Sequence, residues 1–231
     1  AARKALLPPH DEAFRAPSRI ETSVISPEFE SSPNLKPETA KTTELIWLHF
    51  VDSGYVATTL FESRIDDAIL ETVTPLLRRT WVNSQQSVSG LELEWQYRWT
   101  EHWQSRMALT RLFSLDTATS AESDNLLGGS VSYENGGWTL SLLANYQGPK
   151  LDANEQNIPA NITSTEYTRF GGRTLYGVHV AYQLTPALNL YLHGDNLFDK
   201  QYYSPANRGP NFVGAPGTGQ LILAGLRWVV D

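Results

Sequence analysis

The chain has no cysteine, a single methionine and no uninterrupted apolar run of the length that a membrane-crossing helix needs. The absence of cysteine excludes a disulfide framework and any thiolate metal site. Basic residues are outnumbered, with 18 Lys and Arg against 25 Asp and Glu, and the net charge of −7 argues against a nucleic-acid partner. The five histidines do not occur at metal-ligand spacing, so we expect no bound metal and no cofactor.

The start of the chain is rich in proline, serine and charge. In residues 1–40 the prolines run from Pro8 to Pro37, and we expect this segment to be mostly loop with a short first strand ending near Phe14. The first residue is Ala1, and no charged-then-apolar leader follows it. We therefore expect a processed product or a fragment of a longer protein, and we favour the fragment because this segment contains no complete strand pattern.

What the chain does have is a repeated alternation of apolar and polar residues. Residues 91–99, Leu-Glu-Leu-Glu-Trp-Gln-Tyr-Arg-Trp, are the clearest case, with an apolar or aromatic residue at every odd position. Because successive side chains of a strand point to opposite faces, one face of this strand suits hydrocarbon and the other suits water. Repeated over several hairpins with aromatic ends, the pattern is typical of a transmembrane β-barrel.

Turn signals divide residues 41–231 into four hairpins and a last strand. The predicted arms are residues 41–51 and 54–65, 86–100 and 103–114, 125–134 and 137–147, 172–184 and 188–203, with a last strand at 218–229. Short turns near residues 52, 101, 136 and 186 alternate with long links at 66–85, 115–124, 148–171 and 204–217. We therefore predict an all-β, antiparallel transmembrane β-barrel with short periplasmic turns and long extracellular loops, to which this chain contributes about nine or ten strands.

The alternation also predicts which side chains meet water and which meet lipid. A basic side chain that faces lipid at the bilayer midplane costs about 2–4 kcal/mol of stability, and a carboxylate costs less. We therefore expect the charged and imidazole positions to face the lumen. These predicted lumen-facing residues are Glu92, Glu94, Arg98, His179, His193 and Asp195. For His179 and His193 the alternative interpretation is a ligand role toward iron or haem. The predicted aromatic girdle, which would mark the membrane interface beside the short turns, is Trp95, Trp99, Trp103, Trp138 and Trp228.

Ligand contacts are expected in the long links, where arginine and aromatic residues occur together. An arginine beside a tyrosine can engage an anionic, ring-bearing chelate by charge and by stacking. The competing interpretation for each position is ordinary loop surface. The candidates are Tyr167, Arg169, Phe170, Arg173, Tyr202, Tyr203 and Arg208.

Short motifs, in order along the chain, resemble those of the barrels of TonB-dependent receptors. They are Phe14-Arg15-Ala16-Pro17-Ser18 with Pro33-Asn34-Leu35-Lys36-Pro37-Glu38, then Thr43-Glu44-Leu45, Gly90-Leu91-Glu92-Leu93-Glu94, and Asp195-Asn196-Leu197-Phe198-Asp199-Lys200-Gln201-Tyr202. The resemblance covers about residues 14–230. It implies a barrel of about 22 strands closed by an N-terminal plug, in the outer membrane of a Gram-negative bacterium.

The resemblance also implies a function and partners. Such receptors import scarce solutes, most often ferric siderophores and sometimes haem, cobalamin or sugars. The implied partners are the TonB complex, the plug domain, outer-membrane lipid and an iron-chelate ligand, and no enzymatic activity is implied. Neither a plug nor a TonB box is recognisable in this sequence, so we expect the C-terminal barrel portion of a receptor with the plug domain absent.

Two other classes of protein are also considered. A small outer-membrane porin or an outer-membrane enzyme of about ten strands would need its first and last strands to pair. A soluble lipid-binding β-barrel would place its apolar residues inside. Stable channels in planar bilayers would indicate the porin, and partition into water without detergent would indicate the soluble barrel.

Overall fold

The computed structural model describes residues 4–7, 10–23, 26–76, 78–115, 123–153, 167–204 and 215–229. These residues are mostly strands, with one short helix, α1 (Arg19–Ser23). The strands are β1 (Lys4–Leu7), β2 (His10–Arg15), β3 (Glu38–Val51), β4 (Gly54–Val73), β5 (Arg79–Arg98), β6 (Trp103–Leu115), β7 (Asn125–Asn135), β8 (Trp138–Gln147), β9 (Lys150–Ala153), β10 (Tyr167–Phe170), β11 (Arg173–Thr185), β12 (Leu188–Asp195), β13 (Tyr203–Ser204), β14 (Ala215–Pro216) and β15 (Leu221–Trp228). Nowhere in these residues does a helix reach the length and apolarity needed to cross a membrane.

One antiparallel sheet contains eleven of the strands, in the order β1-β3-β4-β5-β6-β7-β8-β11-β12-β15, with β2 also paired to β3. β1 and β2 lie along the same edge of β3, so the region before β3 contributes one interrupted edge strand as well as α1. Two small pairs, β9 with β10 and β13 with β14, stand outside the sheet. Within the described residues β15 pairs with β12 alone, so the sheet is open and forms part of a barrel wall.

The strand register gives the sheet two chemically different faces, because directly opposed residues of antiparallel strands share a face. One row runs from Val131 through Leu142 and Val178 to Ile222. We call the face that bears this row the apolar face. Its other members include Leu91, Leu93, Leu140, Val180, Leu190, Leu192 and Leu226.

The opposite face is polar. We call it the polar face, and its row from Ser132 passes through Ser141 and His179 to His193. Other members are Thr59, Thr110, Arg106, Ser130, Asn145 and Asn189. The alternation predicted from the sequence is therefore continuous across neighbouring strands.

Large apolar side chains are exposed rather than packed into a core. Leu142 is 55% exposed, Ile222 58% and Leu226 63%, and all three lie on the apolar face. Among the described hydrophobic residues, only Ala68, Ile69 and Phe170 are buried. A continuous exposed apolar surface of this kind suits lipid hydrocarbon.

The short turns lie at one end of the sheet. β7 and β8 are joined by Gly136 and Gly137, whose φ angles are 54° and 85°. Positive φ at both central residues is the signature of the two-residue hairpin turn that matches the twist of the strands, and glycine adopts it without strain. Because β3, β5, β7 and β11 run in the same direction, their short connections all fall at this turn end.

The link predicted at 66–85 is wrong, because most of it is strand. β4 continues to Val73 and β5 begins at Arg79, so each strand has 20 residues. About 9–11 tilted residues cross a bilayer, so both strands extend well beyond an apolar band. The pairing is interrupted between Ile65 and Ala68, where Asp67 has a φ of 56°. This irregularity and the polar residues on both faces remove the period-two signal that identifies a strand.

The predicted arm 188–203 is also too long. β12 ends at Asp195, and Asn196 and Asp199 adopt positive φ angles of 47° and 48°. Asparagine and aspartate tolerate this conformation better than most residues, so the chain leaves the sheet at the start of the predicted motif.

Candidate functional site

The six predicted lumen residues share one face. Glu92 is opposite Thr59 and Thr110, and all three belong to the polar face. The same register places the remaining predicted lumen residues, Glu94, Arg98, His179, His193 and Asp195, on that face. The structure therefore brings together on one surface residues that are up to about a hundred positions apart in the chain.

His179, His193 and Asp195 form a compact group on β11 and β12. His179 and His193 are directly opposed, and their ring centres lie 6.1 Å apart. The Nε2 atom of His193 and the Oδ2 atom of Asp195 are hydrogen-bonded at 2.9 Å. The side chains of His193 and Asp195 are 35% and 55% exposed. Across the described part of the chain, no three His, Asp or Glu side chains form a preformed metal centre.

The five predicted girdle tryptophans lie on the opposite, apolar face. Trp99 donates from Nε1 to the hydroxyl of Ser105 at 2.8 Å, across the short turn between β5 and β6. Trp138 packs against Tyr182 with ring centres 4.5 Å apart. The other members by register are Trp95, Trp103 and Trp228. All except Trp95 lie next to a short turn, which is where interfacial aromatic residues are expected.

Two aromatic residues outside the predicted girdle also belong to this surface. Tyr133 packs against Trp103 with ring centres 4.9 Å apart, and Trp47 occupies the same face of β3. The ring of Trp47 stacks on His49 at 5.6 Å. Tyr133 alternates with polar neighbours just before a short turn, so the sequence held a signal for it. The alternation around Trp47 on β3 is too irregular to give one.

The predicted loop candidates have different environments. Phe170 is buried, whereas Tyr203 is 54% exposed. Arg173 and Tyr202 contact each other, with the guanidinium carbon 4.1 Å from the ring centre. Arg208 lies outside the described residues, and so do the side chains of Tyr167 and Arg169, whose backbone belongs to β10.

The motif beginning at Asp195 forms a hydrogen-bonded turn after β12 that is attached to residues just before β15. Asn196 is 5% exposed, and its Nδ2 atom donates to the carbonyl oxygens of Lys200 at 3.1 Å and Thr218 at 3.0 Å. Its Oδ1 atom accepts from the Lys200 N–H at 2.8 Å. Asp199 accepts from the N–H of Gln220 at 3.0 Å. These side chains therefore join the residues that follow β12 to the residues that precede β15.

The first two motifs of the sequence are joined by a charged hydrogen-bond network. Arg15 donates from Nε and Nη2 to both carboxylate oxygens of Glu38, at 2.7 and 3.0 Å. The Nη1 atom of Arg15 reaches Glu21 at 3.1 Å. Glu38 also accepts from the N–H of Ile69 at 2.5 Å. Lys41 and Arg64 are opposed on the apolar face, so charged residues replace apolar ones there. The network lies farther from the short turns than this pair.

Hydrogen bonding shifts both acidic groups of this network toward their charged forms. Arg15 lowers the pKa of Glu38 below its ordinary value, and the Ile69 N–H contributes against the opposing effect of partial burial. Burial acts to raise the pKa of Glu21, but hydrogen bonds from Ser18 and Arg15 outweigh it and lower the pKa. Ser18 and Glu21 also exchange hydrogen bonds at the start of α1, as in a capping box.

The chain between these motifs is attached to the extensions of β4 and β5. We call residues 16–23 and 26–37 the docked loop. Phe29 stacks on Trp81 with ring centres 5.6 Å apart and planes 9° from parallel. Arg78 donates to the carbonyl oxygens of Ser26 and Phe29. Lys36 donates from its N–H to Asn83 at 2.8 Å, and Asn83 donates back to the Lys36 carbonyl at 3.0 Å.

The open up-and-down sheet, its two faces and its aromatic border define a segment of an outer-membrane β-barrel. The chain belongs to the TonB-dependent receptor family. The family model described as "TonB dependent receptor-like, beta-barrel" matches residues 11–197. Members of this family are receptors and transporters of the Gram-negative outer membrane, and this chain is an outer-membrane protein.

Solved structures share the fold at low sequence identity. The siderophore receptor PirA from Acinetobacter baumannii is 15% identical, with a TM-score of 0.78 over 97% of this chain and 39% of its own. The copper transporter OprC is 20% identical, with a TM-score of 0.77 over 98% and 37%. The pyoverdine receptor FpvA from Pseudomonas aeruginosa PAO1, bound to pyoverdine, is 17% identical, with a TM-score of 0.74 over 98% and 34%.

The chain therefore spans about a third of the length of the solved structures that it matches. No curated protein sequence matches it.

Proposed function

We propose that this chain forms the C-terminal barrel wall of a TonB-dependent transporter that takes up a scarce solute, with a ferric siderophore as the favoured cargo. The observation that carries the proposal is the continuous separation of an apolar and a polar face across an antiparallel sheet whose short turns share one end. The choice of cargo is supported by the fold shared with PirA and with FpvA.

In this proposal the polar face lines the water-filled interior of the barrel. Arg98 then avoids the cost of about 2–4 kcal/mol that a basic side chain meets at the lipid midplane, and Glu92 and Glu94 avoid a smaller cost of the same kind. The apolar face meets hydrocarbon, and the girdle tryptophans lie at the periplasmic interface beside the short turns. The extensions of β4 and β5 project on the extracellular side and present the docked loop there.

The ligand is captured by the long connections at the end opposite the short turns. The stacked pair of Arg173 and Tyr202 offers a cation beside a ring, and Tyr203 offers a second, exposed ring. Such groups suit an anionic chelate with aromatic parts. Tyr167, Arg169 and Arg208 are proposed as further ligand contacts, whereas Phe170 is buried and offers no surface to a ligand.

The proposed mechanism moves a solute and changes no covalent bond, so we propose no enzymatic activity. The barrel holds a plug domain, and the TonB complex acts on that plug with energy from the inner membrane. In this scheme the chain contributes a rigid wall, a wet interior surface and part of the capture surface.

Uptake of radioactive iron tests the proposal. Cells that lack their other siderophore receptors are supplied with the ferric siderophores of their growth medium, with and without the intact gene. We expect gene-dependent uptake that stops when TonB is deleted or the proton-motive force is collapsed. Uptake unaffected by TonB, together with stable channels of the purified protein in planar bilayers, would support the porin instead.

The soluble alternative is tested by extraction. We expect the protein to stay in the outer-membrane fraction after salt washing and to require detergent for release. Recovery in the aqueous phase without detergent would reject the membrane assignment and favour a soluble lipid-binding barrel.

A further inference from the structure

The opposed histidines on β11 and β12 can act as a metal chelate. We propose that His179 and His193 bind a divalent transition-metal ion, Cu²⁺ above all, on the polar face, with Asp195 orienting His193. This inference goes beyond the proposed function and does not depend on which solute crosses the membrane.

The distance between the two rings fits a shared ion. A metal bound at about 2.0–2.1 Å from an imidazole nitrogen lies about 3 Å from the centre of that ring. Two rings on opposite sides of one ion can therefore have centres up to about 6.4 Å apart. The observed separation of His179 and His193 is 6.1 Å, which corresponds to two nitrogens on nearly opposite sides of the ion. Because the two residues are directly opposed on antiparallel strands, the backbone holds both rings on the same side of the sheet.

Asp195 supplies the support that metal-binding histidines commonly have. Its Oδ2 atom lies 2.9 Å from Nε2 of His193, so Nδ1 is the nitrogen of His193 that would face the ion. A carboxylate in this position holds the ring orientation and increases the basicity of the ligating nitrogen. Asp195 is two residues from His193 on the same strand and therefore lies on the same face.

The surroundings of the pair suit an aquated ion. His179 is opposed on its other side by Ser141, and His193 and Asp195 remain partly exposed. Water can therefore fill the coordination positions that the two imidazoles leave open. Imidazole ligands suit Cu²⁺, Ni²⁺ and Zn²⁺, and the general order of affinity places Cu²⁺ first.

The test is a titration of the intact protein, purified in detergent from outer membranes, with Cu²⁺ alone. Electron paramagnetic resonance is expected to show one ion coupled to two imidazole nitrogens, and calorimetry is expected to give one ion per chain. His179→Gln and His193→Gln should each weaken binding at least tenfold and leave at most one coupled nitrogen from the pair. Asp195→Asn should weaken binding about tenfold while the two-nitrogen signal remains.

His102→Gln is the matched control. His102 lies at the short turn between β5 and β6, where its Nδ1 is 3.0 Å from the carbonyl oxygen of Glu134. This variant should bind Cu²⁺ as the unchanged protein does. Heat-dependent electrophoretic mobility would verify that each variant is folded. A spectrum of the unchanged protein without two coupled nitrogens, or a folded His179→Gln/His193→Gln double variant with unchanged affinity, would overturn the proposal.

Discussion

Arg15 on β2 and Glu38 on β3 are directly opposed and joined by two parallel hydrogen bonds of 2.7 and 3.0 Å. The pair connects two sequence motifs that are 23 positions apart, and Glu38 extends the connection to the N–H of Ile69 on β4. It thereby fixes both ends of the docked loop to neighbouring strands. Two-point contacts of this kind add orientation as well as energy.

Arg15→Ala should loosen the docked loop without unfolding the sheet. Both partners are partly exposed, so we expect a cost of about 1 kcal/mol, near the upper end for surface ion pairs. A double-mutant cycle with Glu38→Ala, followed by hydrogen exchange of residues 26–37, measures the coupling. Arg64→Ala is the control, because its partner Asp66 lies on the same strand. A coupling energy near zero would contradict the proposed role of the pair.

Attachment of the docked loop should weaken in acid. The folded pKa of Glu38 lies below its ordinary value, so its stabilising contribution is present above the ordinary value of about 4.3 and is lost as the pH falls through the lower folded value. Glu21 changes in the same direction. Proteolysis of the loop should therefore accelerate below about pH 4. Glu38→Gln should flatten this pH dependence, and a profile unchanged by the substitution would exclude Glu38 as its source.

Phe29→Ala should release the middle of the docked loop. The parallel stacking of Phe29 on Trp81 is worth about 0.5–1.5 kcal/mol beyond the buried area of the rings. We expect faster hydrogen exchange in residues 26–37 and an unchanged rate in β7 and β8. Phe14→Ala serves as the control, because Phe14 is 78% exposed. Equal effects of the two substitutions would show that the stacking does not hold the loop.

Neighbouring leucines on β8 should differ in how well they tolerate replacement by a charged residue. Leu142 lies on the apolar face and Leu143 on the polar face, opposite Ser130 and Gly177. Leu142→Arg should cost about 2–4 kcal/mol of folding into lipid, whereas Leu143→Arg should cost much less. Urea titration of folding into phospholipid vesicles measures both. The reverse order would invert the assignment of lipid and lumen.

Asn196→Ala should destabilise the turn that follows β12. Its side chain satisfies three backbone groups, and its φ of 47° is unfavourable for alanine. We expect a loss of about 1–3 kcal/mol. Asn196→Gly separates the two effects, since glycine restores the backbone freedom but not the hydrogen bonds. Thermal unfolding gives the cost of each variant, and an equally stable alanine variant would show that the hydrogen bonds are replaced by water.

The two faces could be predicted from the sequence because they depend on local alternation. Leu91, Glu92, Leu93 and Glu94 alternate whatever strand lies beside them, and the Gly136-Gly137 turn identifies its hairpin directly. Local alternation did not identify the ends of β4 and β5 as strand. There the pairing irregularity at Asp67 and polar residues on both faces leave no periodic pattern to detect.

For the candidate site, too, the sequence predicted what depends on local alternation and did not predict the contacts. Membership of the polar or apolar face follows from position within a strand, so the predicted lumen and girdle residues each occupy one face. Contacts between residues that are distant in the sequence do not follow from their positions within a strand. The contact of Arg173 with Tyr202 depends on how the links fold back over the sheet.

By itself the sequence determined the class of fold, the alternation of each strand and the family motifs, because all of these are written in short segments. Only the tertiary structure decided that Arg15 meets Glu38, that Phe29 stacks on Trp81 and that His179 opposes His193. Each of these contacts depends on the register between strands or on the path of a loop. Register and loop path are set by pairings across the whole sheet, which no local pattern contains.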